Sequence, residues 1–403
     1  MAVRHGYGKI AGADALVFAY DTGDTRNSYK GKPATNLLTT ISKGNTNQAL
    51  FKILPGTEVK NVPGMGTRTV EYVDVYNDYN GGSGNCCPSP MHFGDFSVSP
   101  STVYTYQIVY KTATGYANPN YMYHYEYNGG TYVTEYGLWN SGRIQDLGDG
   151  WKHAWGTFTS NASTNRFICY LFHYEYGIEN RIEVAGVMLT QGSSIIPPSQ
   201  FLSVNTTRSS TQGLLDLTGN STIDLANVSF DANAQMFFDG TDDRIILPPG
   251  SLPTIGTNDF TLEFVCKNTR TNSYNHFFSV LDQYHISFKS YNVNGLLYVY
   301  RTSALSTTNS IPAYIPSRND YYHIVAKRQG DNMQIYINGE SQGVKTGWGD
   351  VSIDNNLYNS YIGWGAGTEY SGGHYAIAKI YNRALTAAEV RNNYNQYKGR
   401  FNL

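Results

Sequence analysis

The chain contains 403 residues, with 29 Lys and Arg against 31 Asp and Glu, which gives a formal net charge of −2. Charged residues make up 15% of the chain, compared with roughly 25% in typical soluble domains, whereas tyrosine occurs 35 times. Nucleic-acid affinity depends on clustered Lys and Arg, so the near-neutral charge without a basic run argues against a nucleic-acid partner. No run of about 18 apolar residues is present, so the sequence also predicts no membrane insertion.

The N-terminus and the cysteines predict where the chain folds. Residues 1–8 lack the apolar core of a secretory signal peptide. Cys86, Cys87, Cys169 and Cys266 form no Cys-x-x-Cys pair, and adjacent cysteines rarely bridge to each other. We therefore expect free thiols, folding in a reducing cytoplasm and no structural zinc site.

Alternation of apolar and polar residues with a period of two, which is typical of strands, dominates the sequence. In chain order, strands are predicted at 15–21, 103–111, 121–127, 131–139, 151–158, 166–172, 182–189, 260–265, 322–327, 333–337, 361–365 and 375–381. Asn338-Gly339 directly follows one of these strands and predicts a two-residue hairpin turn.

Helical periodicity is nearly absent before the last segment. There, Thr386 and Glu389 have the spacing of a capping box, which predicts a helix over about 386–398 with Gly399 as its stop. The pattern as a whole predicts an all-β fold with two antiparallel β-sandwich (jelly-roll) domains and one short C-terminal helix.

The C-terminal half resembles concanavalin-A-like domains of the laminin-G type. Residues 238–245 and 259–263 are similar to the opening of such domains, and 378–390 resembles their close in bacteriophage virion proteins. The resemblance covers about 214–403 and implies a two-sheet jelly-roll sandwich. It does not fix the function, because this fold serves lectins, glucanases and structural modules.

The N-terminal region of the chain also resembles the same phage family. Residues 15–21, followed by 27–31, are similar to the family's usual first strand, which normally leads directly into a Leu-Ser-Gly-Asn stretch. The comparable stretch here, 215–220, lies much later in the chain. We infer that the middle of the chain is inserted into the laminin-G-like domain; an independent N-terminal arm is the alternative.

The predicted domain organisation has four parts. They are an N-terminal arm at 1–12, a laminin-G-like domain at 13–38 plus 214–403, an inserted jelly roll at 40–205 and a linker at 203–213. The insert resembles the carbohydrate-binding modules of phage tail and fibre proteins through residues 151–158 and 182–193.

The sequence His-Tyr-Glu-Tyr occurs at 124–127 and again at 173–176. Glycoside hydrolysis requires paired carboxylates about 5–10 Å apart, so Glu126 and Glu175 are candidate catalytic residues if their strands are neighbours. The same side chains are candidate metal ligands. The interpretation we favour is that equivalent jelly-roll strands carry similar polar faces. The Glu-x-Asp-x-x-Glu strand of concanavalin-A-like glucanases is absent, and we expect no enzymatic activity.

Aromatic side chains are stronger functional candidates, because Tyr and Trp stack on sugar rings while their polar tips form hydrogen bonds. The candidate carbohydrate-binding residues are Tyr123, Tyr125, Trp139 and Trp151 in the insert, and Trp348, Trp364 and Tyr370 in the C-terminal domain. The same residue types are preferred in strand cores and subunit interfaces, and we give this packing interpretation more weight.

Asp239, Asp242 and Asp243 cluster in a predicted loop. Laminin-G-like domains often bind calcium through loop carboxylates and carbonyls, so the resemblance implies a calcium site here. Acidic turns before a strand are also common without metal, so the alternative to a calcium site is that the protein has no cofactor.

The resemblances imply a bacteriophage virion structural protein: a decoration, fibre or tail-associated component on the virion exterior, synthesised in the host cytoplasm. Its expected partners are other virion proteins and further copies of itself, with a trimer inferred from the usual build of fibres. The alternative is an adhesin that binds a host-surface glycan. A glycoside hydrolase that uses Glu126 and Glu175 is the least favoured interpretation.

Overall fold

The computed structural model describes residues 4–5, 8–9, 11–38, 42–43, 47–48, 51–77, 91–112, 122–137, 143–171, 180–270, 274–280, 286–291, 296–301, 320–349, 353, 357–365 and 367–403. The chain divides into two compact units. The first unit comprises Met1–Pro33, Ser209–Asp231 and Gln235–Leu403, and the second comprises Ala34–Arg208 and Ala232–Ala234. Residues 34–38, which we assign from the sequence to the laminin-G-like domain, belong to the second unit.

Three strands of the first unit precede the second unit in the chain. They are β1 (Arg4–His5), β2 (Gly8–Lys9) and β3 (Leu16–Asp21), with a 3-10 turn at Ala13–Ala15. Strands β1 and β2 pair with each other in a small antiparallel sheet. Five of the six residues of β3 are buried, which shows that this strand belongs to the interior of the unit.

The second unit contains fourteen of the strands that the structure describes. They are β4 (Ala34–Thr35), β5 (Ser42–Lys43), β6 (Asn47–Gln48), β7 (Phe51–Val62), β8 (Gly66–Asn77), β9 (Met91–Ser97), β10 (Val103–Thr112), β11 (Met122–Asn128), β12 (Thr131–Gly137), β13 (Arg143–Gly148), β14 (Trp151–Thr159), β15 (Arg166–Leu171), β16 (Asn180–Gln191) and β17 (Thr207–Arg208). A 3-10 turn at Pro198–Gln200 follows β16.

Two large antiparallel sheets form most of the second unit, with strand orders β13-β14-β10-β16-β8-β7-β6 and β12-β11-β15-β9-β5, and β4 pairs with β17 in a separate two-stranded sheet. Strand β10 explains why they enclose a core. Tyr104, Tyr106, Ile108 and Tyr110 alternate along it and share one apolar cluster with Phe167 of the other sheet. Side chains of successive strand residues point to opposite faces, so this alternation directs the apolar residues inward.

The first unit continues after the second with twelve described strands and a helix. They are β18 (Ser229–Phe230), β19 (Met236–Asp239), β20 (Ile245–Leu247), β21 (Phe260–Asn268), β22 (Tyr274–Val280), β23 (Ile286–Tyr291), β24 (Leu296–Arg301), β25 (Tyr322–Gln329), β26 (Asn332–Ile337), β27 (Glu340–Lys345), β28 (Ser360–Ile362), β29 (Gly372–Tyr381) and α1 (Ala387–Phe401).

These strands form two more antiparallel sheets. The order of the larger sheet is β18-β19-β29-β21-β25-β26-β27, with β3 paired to β29, and the order of the smaller is β20-β28-β22-β23-β24. Apolar side chains of both sheets, including Phe264 and Phe288, belong to one buried cluster. Strand β3, which precedes the second unit, is therefore part of the sheet completed by the end of the chain.

The predicted fold class is confirmed: the chain is all-β and antiparallel, and α1 is the one α-helix among the described residues. The hairpin at Asn338-Gly339 is also confirmed, since Ile337 pairs with Glu340 and both turn residues have positive φ. None of the helices in the part of the chain that the structure describes has the length and apolar character of a membrane span.

The predicted capping box of α1 is confirmed, but Gly399 does not end the helix. Thr386 and Glu389 exchange the two capping hydrogen bonds, and α1 continues to Phe401, with Asn402 as a left-handed C-cap. Glycine costs about 1 kcal/mol in a helix interior. Two contacts hold the last turn: the Phe401 ring lies 5.0 Å from that of Tyr321, and Arg400 pairs with Asp21.

Helix α1 covers the outer face of the larger sheet over a buried carboxylate. Glu263 of β21 is fully buried, and its Oε1 lies 2.8 Å from Nε2 of His323. Its Oε2 accepts hydrogen bonds from the Tyr381 hydroxyl at 2.5 Å and from the Asn393 amide at 3.1 Å. Burial alone would raise the pKa of Glu263, but the charge of Lys379 and the hydrogen bonds lower it to about 2.

Replacing Glu263 tests this network through the pH dependence of stability. The folded-state pKa lies below the usual value of 4.5, so the stabilisation is complete above about pH 4.5 and is lost as the pH falls toward 2. We expect Glu263→Gln to lower the free energy of unfolding by about 3 kcal/mol at pH 7 and by less than half of that at pH 3.

Urea unfolding of the wild type and the variant at both pH values measures this difference. Glu340→Gln, which removes an exposed partner of Arg391, is the control and should change the free energy by less than about 0.5 kcal/mol. An equal loss at pH 7 and pH 3 for Glu263→Gln would contradict the prediction.

Candidate functional site

Two of the predicted carbohydrate-binding residues lie together in the first unit. The rings of Trp364 and Tyr370 are stacked, with centroids 6.0 Å apart and planes 26° apart. Both side chains are partly exposed. Tyr361 packs edge-on against the Trp364 ring at 4.6 Å. We call Tyr361, Trp364, Tyr370 and the adjoining Arg244 and Glu369 the aromatic site.

Close backbone packing holds the loop that carries this pair. Trp364 and Tyr370 form an antiparallel bridge just after β28, and the Trp364 indole N–H donates to the Gly367 carbonyl at 3.2 Å. Gly365 lies so close to the buried His276 ring that a Cβ would come within 1.9 Å of it. Only glycine fits at this position, so the loop is pressed against the smaller sheet.

Arg244 brings a positive charge to the aromatic pair. Its guanidinium carbon lies 5.4 Å from the Trp364 ring centre and 5.8 Å from that of Tyr370. Nη1 donates to the Tyr370 hydroxyl at 3.2 Å and to the Asp242 carbonyl at 3.3 Å. A guanidinium over aromatic rings is a favourable cation–π arrangement.

Glu369 supplies the negative charge of the site. Its Oε2 lies 2.8 Å from Nε2 of the buried His276 and 3.3 Å from the ammonium of Lys289. Burial would raise the pKa of Glu369, but the His276 hydrogen bond and the Lys289 charge outweigh it and lower the pKa. Burial is also the main cause of the lowered pKa of His276. Glu369 is therefore held ionised beside Tyr370.

The three predicted calcium ligands lie close together near β19 and β20. Asp239, Asp242 and Asp243 each offer a carboxylate oxygen, and these oxygens lie within 4.8 Å of one another. Asp243 is 2% exposed, and burial, followed by the two neighbouring carboxylates, raises its pKa to about 6. Clustered carboxylate oxygens are the ligand type that Ca²⁺ prefers, and their spacing fits its 2.3–2.6 Å bonds.

The predictions for Trp151 and Trp348 are wrong. Trp151 is 2% exposed and packs in an apolar cluster with Val109, and Trp348 is fully buried in the main core of the first unit. A ring enclosed in this way cannot present a face to a sugar. The packing interpretation holds for these two residues.

The remaining predicted aromatic residues belong to the second unit. Tyr125 lies with Tyr127 and Tyr132, at ring separations of 6.0–6.5 Å, and Tyr132 is 52% exposed. Tyr123 lies in β11, but its side chain is outside the described part of the structure, and so is Trp139 entirely. Along β11, His124 and Glu126 are buried whereas Tyr125 and Tyr127 are partly exposed, so the two pairs lie on opposite faces of the strand.

Glu126, one of the two candidate catalytic residues, serves to hold a loop. Its Oε2 accepts hydrogen bonds from the Asn161 backbone N–H at 2.8 Å and the Thr164 hydroxyl at 2.6 Å. Its Oε1 lies 3.4 Å from Nε2 of His124, and the side chain is 2% exposed. Glu175 lies outside the described residues.

The sequence reasoning missed Arg244, Glu369, His276 and Lys289. The first two had a local signal, because Arg244 directly follows Asp243 and Glu369 directly precedes Tyr370. His276 and Lys289 had none. They face each other across β22 and β23 and reach the site only through strand pairing.

Several solved structures are similar to part of this chain. The receptor-binding domain of botulinum neurotoxin D has a TM-score of 0.38 and 12% identity, covering 47% of this chain and 51% of that one. Domain 4 of an extracellular arabinanase from Geobacillus stearothermophilus, in complex with arabinotriose, has a TM-score of 0.37 and 18% identity, covering 46% and 92%. A Trypanosoma rangeli sialidase has a TM-score of 0.36 and 15% identity, and the match covers 45% of this chain and 30% of the sialidase chain. The matched region spans about half the length of the neurotoxin domain.

Comparison with protein families gives the clearest assignment. No curated protein matches the chain. Residues 239–391 match the family model described as the concanavalin A-like lectin/glucanases superfamily. This range begins at the acidic cluster and includes all five residues of the aromatic site. The matched part of the first unit is therefore similar to the domains of this superfamily.

Proposed function

We propose that the protein binds a carbohydrate chain through the aromatic site. The observation that carries this proposal is the partly exposed, stacked pair of Trp364 and Tyr370. Sugar rings present apolar C–H faces that pack on such rings, while their hydroxyls need hydrogen-bonding partners at the edge. The match to a lectin-containing family supports the same function.

Arg244 and Glu369 supply the hydrogen-bonding partners. His276 and Lys289 both contact Oε2 of Glu369, and Oε1 has no partner among the described residues, so Oε1 can accept a hydrogen bond from a sugar hydroxyl. The Arg244 guanidinium supplies donors beside the same rings. A stacking surface with a donor on one side and an acceptor on the other orients a ring as well as binding it.

The proposed activity is binding without chemical conversion of the glycan. The arrangement of Glu126 supports this, because a buried carboxylate that holds a loop is poorly placed to act on a substrate. The absence of a Glu-x-Asp-x-x-Glu strand from the sequence supports it as well.

Substitution of Trp364 tests the binding proposal. We expect Trp364→Ala to weaken glycan binding at least tenfold, because the stacking surface is lost and aromatic residues dominate binding energies of this kind. Isothermal titration calorimetry against a panel of host-surface oligosaccharides measures the change.

Tyr394→Ala removes a partly exposed aromatic side chain from α1, on the other sheet, and serves as the matched control with unchanged binding. If Trp364→Ala binds the same ligands as tightly as the wild type, the aromatic site is not the binding site.

We also propose that Asp239, Asp242 and Asp243 hold a calcium ion, which would neutralise their mutual repulsion and fix the loop that leads to Arg244. We expect millimolar calcium to raise the melting temperature of the wild type by roughly 2–4 °C for each kcal/mol of binding energy. Asp242→Asn removes an exposed carboxylate and should abolish this shift, whereas Asp149→Asn, in the second unit, should retain it. Equal shifts in both variants would contradict the proposal.

The setting that we propose for this activity is the exterior of a bacteriophage particle, with several copies of the chain assembled beside other virion proteins. The similarity of residues 378–390 to the close of phage laminin-G-like domains supports it.

Particles purified by density gradient should contain the chain in fixed proportion to the major virion proteins, as measured by quantitative mass spectrometry. Light scattering of the purified protein should give the mass of a homo-oligomer, a trimer in our proposal. Particles that lack the chain would rule out this setting, but they would leave the binding proposal untouched.

A further inference from the structure

We propose that the glycan bound at the aromatic site is acidic and that its carboxylate pairs with Arg244. The inference rests on the proposed carbohydrate binding and specifies the class of ligand. It comes from the charges around Trp364 and Tyr370, whereas the stacking surface by itself would suit neutral and acidic sugars alike.

The first observation concerns the part of the Arg244 guanidinium that is not used. Both of its hydrogen bonds, to Tyr370 and Asp242, are donated by Nη1. Nε and Nη2 have no partner among the described residues. This edge of a guanidinium carries parallel N–H groups that match the two oxygens of a carboxylate. Among the described residues nothing occupies this bidentate edge, which can therefore bind a ligand.

The second observation is that Arg244 has no carboxylate partner among the described residues, in contrast to the arginines on and beside α1. Arg383, Arg391 and Arg400 each form an ion pair with a carboxylate. In the aromatic site, Glu369 is paired with Lys289. Arg244 is partly buried and has no carboxylate within 4 Å in the described part of the chain. A partly desolvated cation without a counter-ion favours an anionic ligand.

The nearby acidic cluster does not supply that counter-ion. Asp243 is directed to its own loop, where it accepts hydrogen bonds from the Ser229 hydroxyl and the Asp239 backbone N–H. Asp239 likewise accepts from the Thr241 backbone N–H at 2.7 Å. Asp242 meets Arg244 through its backbone carbonyl, so its side chain forms no ion pair with the guanidinium.

A second guanidinium reaches the other end of Tyr370. Arg270 donates from Nη1 to the Tyr370 carbonyl, and like Arg244 it has no ion pair among the described residues. Tyr370 therefore lies between two arginines, one at its hydroxyl and one at its backbone.

The experiment uses the full chain and a panel of acidic oligosaccharides, such as oligogalacturonate and sialylated glycans, each matched with its carboxyl-reduced counterpart. We expect the wild type to bind at least one acidic member roughly tenfold or more tightly than its reduced form. Arg244→Gln should remove this preference. Arg244→Lys should retain only part of the preference for the acidic form, because lysine keeps the positive charge but lacks the bidentate edge.

Two controls separate this inference from the function on which it rests. Arg391→Gln removes an arginine from α1 and should keep the preference. If the wild type binds acidic and reduced forms equally, and Trp364→Ala abolishes both, the acidic preference is refuted and carbohydrate binding stands. If neither form of any member binds, both proposals fail. Sulfated oligosaccharides are tested alongside this panel, and tighter binding of these than of the carboxylated members would also overturn the assignment of a carboxylate.

Discussion

A fully buried carboxylate in the larger sheet needs hydrogen-bonding partners. These partners connect the N-terminal segment of the first unit to its C-terminal helix. Glu263 lies on β21 and finds partners in His323, Tyr381 and Asn393, which belong to β25, β29 and α1. Asn393 in turn accepts a hydrogen bond from the Ala11 backbone N–H at 3.1 Å. A buried ion that loses a partner destabilises a fold by several kcal/mol. The helix and the N-terminal segment are thus fixed on the same face by one charge.

This arrangement decides which surface of the first unit is left for a ligand. With α1 over the larger sheet, the central strands of that sheet are buried on both faces, and seven of the eight residues of β25 are buried. The smaller sheet has its core on one side, and Lys289 and Glu369 lie on the other. The hydrogen bond of His276 and the charge of buried Lys289 lower the pKa of Glu369 and hold it in its charged form at the edge of Tyr370. Buried side chains of β22 and β23 therefore set the electrostatics of the candidate site.

Local sequence patterns predicted the strands in which apolar and polar residues alternate. They failed where contacts with distant residues determine the structure. The hairpin of β7 and β8 was missed because Pro55-Gly56 interrupts the pattern. Beyond Lys52, no described strand pairs with the outer edge of β7, so proline loses no hydrogen bond there. A Cβ at position 56 would come within 2.2 Å of the Tyr72 ring, which explains the glycine. Neither reason is visible in the sequence.

The two Gly-Trp-Gly segments show why the site itself was only half predictable. Trp348 and Trp364 have identical neighbours, so local sequence cannot separate them. The carboxylate of Asp331 accepts hydrogen bonds from the backbone N–H groups on both sides of Trp348, each at 2.9 Å, and holds that ring in the core. At Trp364, the following glycine packs on His276 and turns the indole outward. The Asp331 carboxylate fixes the loop of the buried tryptophan, and the His276 ring packs against the loop of the exposed one. The candidate site therefore depends on contacts with residues that are distant in the sequence.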